Sequence, residues 1–137
     1  IAAPQGSQEL PPPFRAQIAD STFRQTLLLL QADQDPGKQI ALVEPGVIEI
    51  SDNQGRSARV HFDSASGQMT GKRYRAMSMQ GPPSDTVETF YDFREVDGIR
   101  MPFTIKLERD GQPYGELKVE SLQINTGVTE EQISRKP

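Results

Sequence analysis

The chain has 137 residues, which fits one domain and is long enough to bury a hydrophobic core. Its 15 lysines and arginines against 19 aspartates and glutamates give a formal charge of −4, which argues against a dedicated binder of nucleic acid or anionic membranes. The absence of cysteine excludes disulfides, thiolate metal sites and thiol nucleophiles. Since only 34% of the residues are hydrophobic, we expect a core that is thin or open on one side.

Residues 1–13 predict an extended linker, because four of the eleven prolines lie there with Gly, Ser and Gln. The chain opens at Ile1 without an initiator methionine, so we expect an excised or processed segment. Between residues 14 and 32, apolar residues recur three and four positions apart, which predicts one amphipathic helix whose leucines lie on a sheet. A helix that binds a membrane surface or a partner is the alternative. The longest apolar run, 27–30, is too short to span a membrane.

Strands separated by turns are predicted from about residue 39 to residue 125, followed by a short turn or helix at 129–133. The last three strands are joined at Asp97-Gly98 and Asp110-Gly111, which are strong hairpin signals. Residues 14–137 are therefore predicted to form a single, mainly β (α+β) domain. We expect an antiparallel meander that forms an open half-barrel, covered by the one N-terminal amphipathic helix.

The lengths of the two hairpin loops decide which side chains share a face of the sheet. Two-residue loops would set Phe93 opposite Pro102 and put the aromatic residues on the wrong side. Three-residue loops at 96–98 and 109–111, each closed by a bulge, instead pair Phe93 with Met101. We therefore predict that both loops have three residues.

Basic and acidic residues are concentrated on two strands that we expect to pair. The basic residues lie within 56–75 and the acidic ones within 85–97. We interpret them as cross-strand charge pairs on the solvent side of the sheet. A phosphate-binding patch is the alternative.

No catalytic residues, metal site or cofactor are predicted. His61 is the only histidine, and there is no cysteine to complete a zinc site with it. No serine lies in a Gly-x-Ser-x-Gly elbow, and no glycine-rich phosphate loop occurs. A small enzyme that uses carboxylates of the acidic strand face, such as Glu88 or Asp92, is kept as a third alternative.

One set of apolar residues could line a concave surface for a lipid or an acylated peptide, because methionine adapts to such ligands. The same residues could instead form a core under the covering helix. The set is Met77, Met79, Tyr91, Phe93, Met101, Phe103, Ile105 and Leu107.

Three pieces of the sequence together resemble a known family. They are FDSASGQMTGKRY at 62–74, FYDFREVDGIRMPFTIKLERDG at 90–111 and LKVESLQINTGVTEEQISRKP at 117–137. They resemble the C-terminal part of LolA-like, outer-membrane lipoprotein-sorting-type domains, in the version appended to bacterial insulinase-like (pitrilysin-type) zinc peptidases. The upstream residues 4–30 resemble the helical cover segment of the same domains.

The resemblance implies an unclosed antiparallel barrel wrapped over helices, with a hydrophobic interior that accepts acyl chains in the carrier proteins. It also implies a location in the bacterial periplasm or cell envelope, or secretion. The N-terminal helix and first strands of a full carrier have no counterpart in this sequence, and neither does the His-x-x-Glu-His motif of the peptidase. The first hypothesis is therefore a non-catalytic, extracytoplasmic accessory domain. Its partner would be the rest of a parent polypeptide or another protein, bound at an exposed sheet edge. A carrier of a lipid or an acylated peptide is the second hypothesis.

Overall fold

A computed structural model describes residues 2–3, 6–7, 9–77, 81–124, 127 and 129–130. Met79 and most of the turn or helix predicted at 129–133 lie outside the described residues. Near the start of the chain, within the predicted linker, two short strands pair with each other. They are β1 (Ala2–Ala3) and β2 (Gly6–Ser7).

Most of the domain is one antiparallel sheet of seven strands, which neighbour one another in sequence order. The predicted antiparallel meander is thus confirmed, and across the described residues the sheet is not closed into a barrel. The strands are β3 (Lys38–Glu44), β4 (Val47–Asp52), β5 (Ser57–Phe62), β6 (Met69–Ala76), β7 (Ser84–Val96), β8 (Ile99–Arg109) and β9 (Gln112–Lys118).

The prediction of one continuous helix over residues 14–32 is wrong, because the helix is interrupted. Three pieces replace it: α1 (Pro12–Phe23), α2 (Thr26–Leu30) and a 3₁₀ helix (Ala32–Gln34). The helical path breaks at Gln25, whose backbone is extended with φ −60 and ψ 129. None of the helices in the described part of the chain is long and apolar enough to cross a membrane.

The four consecutive leucines do not all lie on the sheet, as the amphipathic-helix prediction required. Leu29 is buried, whereas Leu27 and Leu30 are exposed. Consecutive residues of a helix point about 100° apart, so a run of four surrounds the helix and cannot share one face. Phe14 and Ile18 of α1 are exposed as well.

The core lies between the helices and the middle of the sheet. Alternate residues of β4 and β5 point toward the helices, and Ile50 and Val60 are each only 1% exposed. Burying side chains of this size stabilises the fold by about 1.5–3 kcal/mol each. The buried cluster consists of Phe23, Leu29, Ala32, Ile50, Ala58, Val60, Met69 and Phe90.

Both hairpin loops have two residues, so the prediction of three-residue loops is wrong. Val96 pairs directly with Ile99, and the residues between them, Asp97 and Gly98, have φ values of 50 and 79. Positive φ at both positions defines a type I′ turn, whose twist matches that of the flanking strands. The Asp110-Gly111 turn has the same geometry, with φ values of 49 and 76.

A left-handed residue inside β7, rather than a longer loop, resolves the conflict over the aromatic side chains. Asp92 has a φ of 52, a conformation that aspartate tolerates better than most residues and that interrupts the alternation of the strand. Phe90 is therefore buried, and Phe93, three positions later, packs against the same cluster. Tyr91 is exposed between them. The prediction that Phe93 pairs with Met101 is wrong, because Phe93 lies opposite Pro102.

Candidate functional site

The free edge of β3 is the first candidate site. β3 is the first strand of the seven-stranded sheet, and no described residue pairs with its outer side. Six of its seven residues are exposed, among them Ile40 at 47% and Leu42 at 74%. The strand contains no proline or glycine that would hinder the addition of another strand. β3 therefore presents unpaired backbone groups together with exposed apolar side chains.

Lys38, the only cation of β3, does not protect this edge. Its side chain is 10% exposed, its Nζ donates to the carbonyl oxygen of Leu28 at 2.9 Å, and it lies 3.8 Å from the carboxylate of Asp35. A lysine that points outward from an edge strand discourages pairing with another chain. Because Lys38 is turned inward, it instead holds α2, with its exposed Leu27 and Leu30, beside the beginning of β3.

The opposite edge, β9, is built differently. All seven of its residues are exposed, but Pro113 removes one backbone donor. The register with β8 also shifts between Leu107 and Glu108, which introduces a bulge near Tyr114. Proline and a bulge are two devices by which natural sheets prevent further pairing. β3 also has a register shift, between Leu42 and Glu44, but it has no proline, so β9 is the more protected of the two edges.

The eight apolar residues predicted for a ligand surface differ in exposure, and the prediction that they bind a ligand stays a prediction. Phe103 is buried, and the half-buried residues are Phe93, Met101, Ile105 and Leu107. Tyr91 is exposed opposite Thr104, with Lys106 Nζ 5.0 Å from its ring centroid. Met77 is exposed at a cleft of about 540 Å³ beside α1. Met79 lies outside the described residues.

Arginines cover the two phenylalanines of the predicted apolar set. The guanidinium of Arg94 lies 4.4 Å from the ring centroid of Phe103, and that of Arg100 lies 6.0 Å from the ring of Phe93. Such cation–π contacts leave less of each ring free for a ligand. On the same part of the sheet, Met101, Ile105 and Leu107 are half-buried, and Leu117, which pairs with Ile105, is 55% exposed.

A second candidate is a polar cluster beneath the break between α1 and α2, formed by Asp20, Arg24, Lys72, Tyr74 and Glu88. The ammonium of Lys72 donates to the carbonyl oxygen of Arg24 at 2.7 Å and lies 3.4 Å from the carboxylate of Glu88. Burial lowers the pKa of Lys72, although the charge of Glu88 acts in the opposite direction.

Tyr74 and Arg24 connect the other members of the polar cluster. The Tyr74 hydroxyl donates to Glu88 at 2.7 Å, and burial together with this carboxylate raises the pKa of Tyr74. The Arg24 guanidinium lies 4.5 Å from the Tyr74 ring centroid and pairs with Asp20. Each charged group has a partner, so we interpret the cluster as a contact that fixes the helices on the sheet.

The predicted cross-strand charge pairs on the solvent side of the sheet are confirmed for Asp85 only, because Arg56 and Arg59 pair with acids of other segments. Arg73 lies 3.3 Å and Arg75 3.5 Å from the carboxylate of Asp85 on the neighbouring strand. Lys72 is an exception, because it points toward the helices and not toward solvent as predicted. Exposed pairs of this kind contribute about 0–1 kcal/mol each.

The residues weighed for metal binding and catalysis are placed apart. His61 is half-buried between Val47 and Gly71, and no three His, Cys, Asp or Glu side chains in the described ranges are arranged to hold a metal ion. Glu88 belongs to the polar cluster, whereas Asp92 is exposed and pairs with Arg94 at 2.6 Å. The two carboxylates thus have different partners.

No family model matches the chain, and comparisons with curated proteins and with solved structures give no match either. A functional interpretation therefore rests on the geometry of the β3 edge and of the polar cluster.

The sequence reasoning did not identify the polar cluster. Lys72 and Glu88 lie directly opposite each other in the register of β6 and β7. This pair could have been predicted by setting the residues of the two strands opposite each other one by one. The role of Arg24 could not be found in this way, because it depends on where the helical path breaks.

Proposed function

We propose that this chain is a non-catalytic accessory domain that binds an extended segment of another polypeptide at the free edge of β3. The observation that carries this proposal is the combination of an unpaired strand edge with exposed Ile40 and Leu42, next to a lysine that is turned inward. A strand added at this edge would form backbone hydrogen bonds and cover the apolar side chains.

The partner segment belongs either to the rest of a parent polypeptide or to a separate protein. The resemblance to LolA-like domains supports a place in the bacterial periplasm or cell envelope, with an insulinase-like zinc peptidase as the parent. In that arrangement the seven-stranded sheet is one part of an open half-barrel, and the added strand extends it at β3. The inward-turned Lys38 supports this side of the sheet as the point of extension.

Photo-crosslinking in the producing cell tests the proposal. A photoreactive amino acid at Ile40 should capture another polypeptide segment, which mass spectrometry of the adduct identifies, whether in the parent chain or in a partner. The matched control places the same group at Leu117, which is exposed to a similar extent at 55% against 47% but lies on the protected edge. Equal capture at both positions, or none at Ile40, would contradict the proposal.

Binding of a lipid or an acylated peptide is a second candidate function. It is favoured by the apolar side chains of Met101, Ile105, Leu107 and Leu117 on one part of the sheet. A bound hydrophobic fluorophore should be displaced by fatty acid, and Leu117→Lys should weaken its binding. Leu42→Lys serves as the control, because Leu42 lies on the far edge of the sheet. If both substitutions act equally, the fluorophore does not report this surface.

A further inference from the structure

A cleft of about 440 Å³ lies between the helical segments and the paired ends of β3 and β4. Its volume is within the range of small-molecule sites, which is about 300–1,000 Å³. Phe23 of α1 and Leu28 of α2 contribute apolar surface to its lining, and Lys38 and Arg56 contribute cationic groups. The cleft therefore combines apolar surface with a few converging polar groups, a composition typical of ligand sites.

Lys38 has hydrogen-bond donors that the described residues do not use. Its side chain is only 10% exposed, so water reaches little of it. The ammonium carries three N–H donors. Among the described residues it makes one hydrogen bond, to the carbonyl oxygen of Leu28, and the Asp35 carboxylate at 3.8 Å is too distant for a second. Since a buried ammonium is stabilised when its donors are paired, an acceptor bound in the cleft would be favourable.

Arg56 presents a second set of donors at the cleft. Its Nε donates to the Asp52 carboxylate at 2.6 Å, and within the described ranges neither terminal nitrogen of the guanidinium has a hydrogen-bond acceptor. The guanidinium carbon lies 5.5 Å from the ring centroid of Phe23, and Lys38 Nζ lies 5.9 Å from the same centroid. Two cations with unused donors thus lie near one aromatic ring.

The two carboxylates of the cleft are either engaged or exposed. The Asp52 side chain is 7% exposed and accepts hydrogen bonds from the backbone of Gln54 and from the backbone and side chain of Arg56. Asp35 accepts a hydrogen bond from the Gly37 amide, and its side chain is 51% exposed. Because these two carboxylates already balance the two cations, the cleft favours an anion of single charge over a phosphate dianion.

We propose that this cleft binds a small organic carboxylate with an apolar or aromatic body. The carboxylate oxygens would accept hydrogen bonds from Lys38 Nζ and from the terminal nitrogens of Arg56. The body of the ligand would lie against Phe23 and Leu28. The site does not require a strand at the free edge of β3, so its test is independent of the proposed function.

Titration of the isotope-labelled chain with phenylacetate, followed by amide NMR spectra, tests the proposal. The amide signals of residues 22–28, 35–38 and 52–56 should shift and saturate in the millimolar range. Acetate lacks the ring and 2-phenylethanol lacks the charge, so each should bind at least about tenfold more weakly. The proposal is wrong if 2-phenylethylamine, which carries the opposite charge, binds as tightly as phenylacetate.

Matched substitutions locate the binding at the cleft. Thr22 is exposed and lines the cleft, so Thr22→Trp should keep the fold, fill the cleft and remove binding. Ser21 is exposed beside it but is not among the lining residues, so Ser21→Trp should bind phenylacetate normally. Lys38→Met should weaken binding by about tenfold or more. Lys118→Met removes a 72% exposed lysine of β9 and should leave binding unchanged.

Two results would overturn the proposal. One is the absence of shifts at the cleft amides when phenylacetate reaches the high millimolar range. The other is equal binding of phenylacetate by Thr22→Trp and Ser21→Trp. Because Lys38 also holds α2, Lys38→Met could alter the fold, and the two tryptophan variants then decide the outcome by themselves.

Discussion

β3 and β4 have similar apolar patterns and opposite exposure. Ile40 lies directly opposite Ile50, and Leu42 opposite Ile48. Ile50 is 1% exposed, whereas Ile40 is 47% and Leu42 is 74% exposed. The helical segments cover Ile50 and leave Ile40 and Leu42 exposed. An alternation of apolar residues therefore indicates that one face of a strand is suited to burial. It does not show that other residues of the same domain bury that face.

One of the largest expected effects is at the close contact between the central strands. A Cβ atom on Gly71 would lie 2.4 Å from the backbone carbonyl oxygen of Glu88, so Gly71→Ala should force β6 and β7 apart. We expect a loss of about 3 kcal/mol in the free energy of unfolding, measured by urea denaturation. At the edge, Gly115→Ala meets Leu107 Cδ1 at an ordinary 3.6 Å and should change stability by less than about 1 kcal/mol. Similar losses for both variants would contradict the difference between centre and edge.

A matched pair of substitutions tests the contrast between β4 and β3 directly. Ile50→Ala should cost about 2–4 kcal/mol, because it leaves a cavity in the buried cluster. Ile40→Ala removes the same atoms from the opposite residue and should cost less than about 1 kcal/mol in dilute monomer. Thermal or urea unfolding of both variants measures the difference. Equal costs would mean that the edge is covered after all.

The polar cluster should matter more than an exposed ion pair. Lys72→Met removes the partner of Glu88 and the donor to the Arg24 carbonyl oxygen, so we expect a loss of about 2 kcal/mol. Lys118→Met removes a lysine that is 72% exposed, with Glu116 3.8 Å away, and should change stability by less than about 0.5 kcal/mol. Chemical denaturation of both variants at pH 7 makes the comparison. Lys72 has no structural role if the two losses agree.

A smaller effect is expected from acid at the end of β4. Burial acts to raise the pKa of Asp52, but hydrogen bonds from Arg56 and Gln54 outweigh it and hold the pKa below its usual range. At a pH above the usual pKa of aspartate, the lowered pKa of Asp52 stabilises the fold. This contribution is lost as the pH falls through the pKa of Asp52 in the folded state. Asp52→Asn should therefore cost about 1 kcal/mol at pH 7.

The pH dependence provides the control for that variant. The difference in unfolding free energy between the natural chain and Asp52→Asn should shrink as the pH is lowered from 6 to 3. A difference that stays constant over this range would show that the charge of Asp52 does not contribute.

Much of the fold followed from local sequence signals. The Asp-Gly pairs marked both hairpins, and the alternation of Val60 and Phe62 with polar neighbours marked β5. The loop length was predicted wrongly because the phase of the aromatic residues was assumed to be regular throughout β7. A single left-handed residue, Asp92, changes that phase, and sequence alternation alone does not reveal it.

The candidate site was less predictable than the fold. The strand at 39–43 was foreseen, but its open edge depends on where the helices end and on which way Lys38 turns. Both features depend on the tertiary structure. The contacts of Arg94 with Phe103 and of Arg100 with Phe93 could not be predicted from the sequence for the same reason.

Amide hydrogen exchange of the dilute chain tests the central claim most directly. In an edge strand, every second amide bonds to the neighbouring strand and the others point outward. We predict that alternate amides of β3 exchange rapidly, while those of β4 and β5 exchange only at the free energy of global unfolding. Slow exchange of all β3 amides in a monomer would contradict the account, because another segment of the chain would then already occupy the edge.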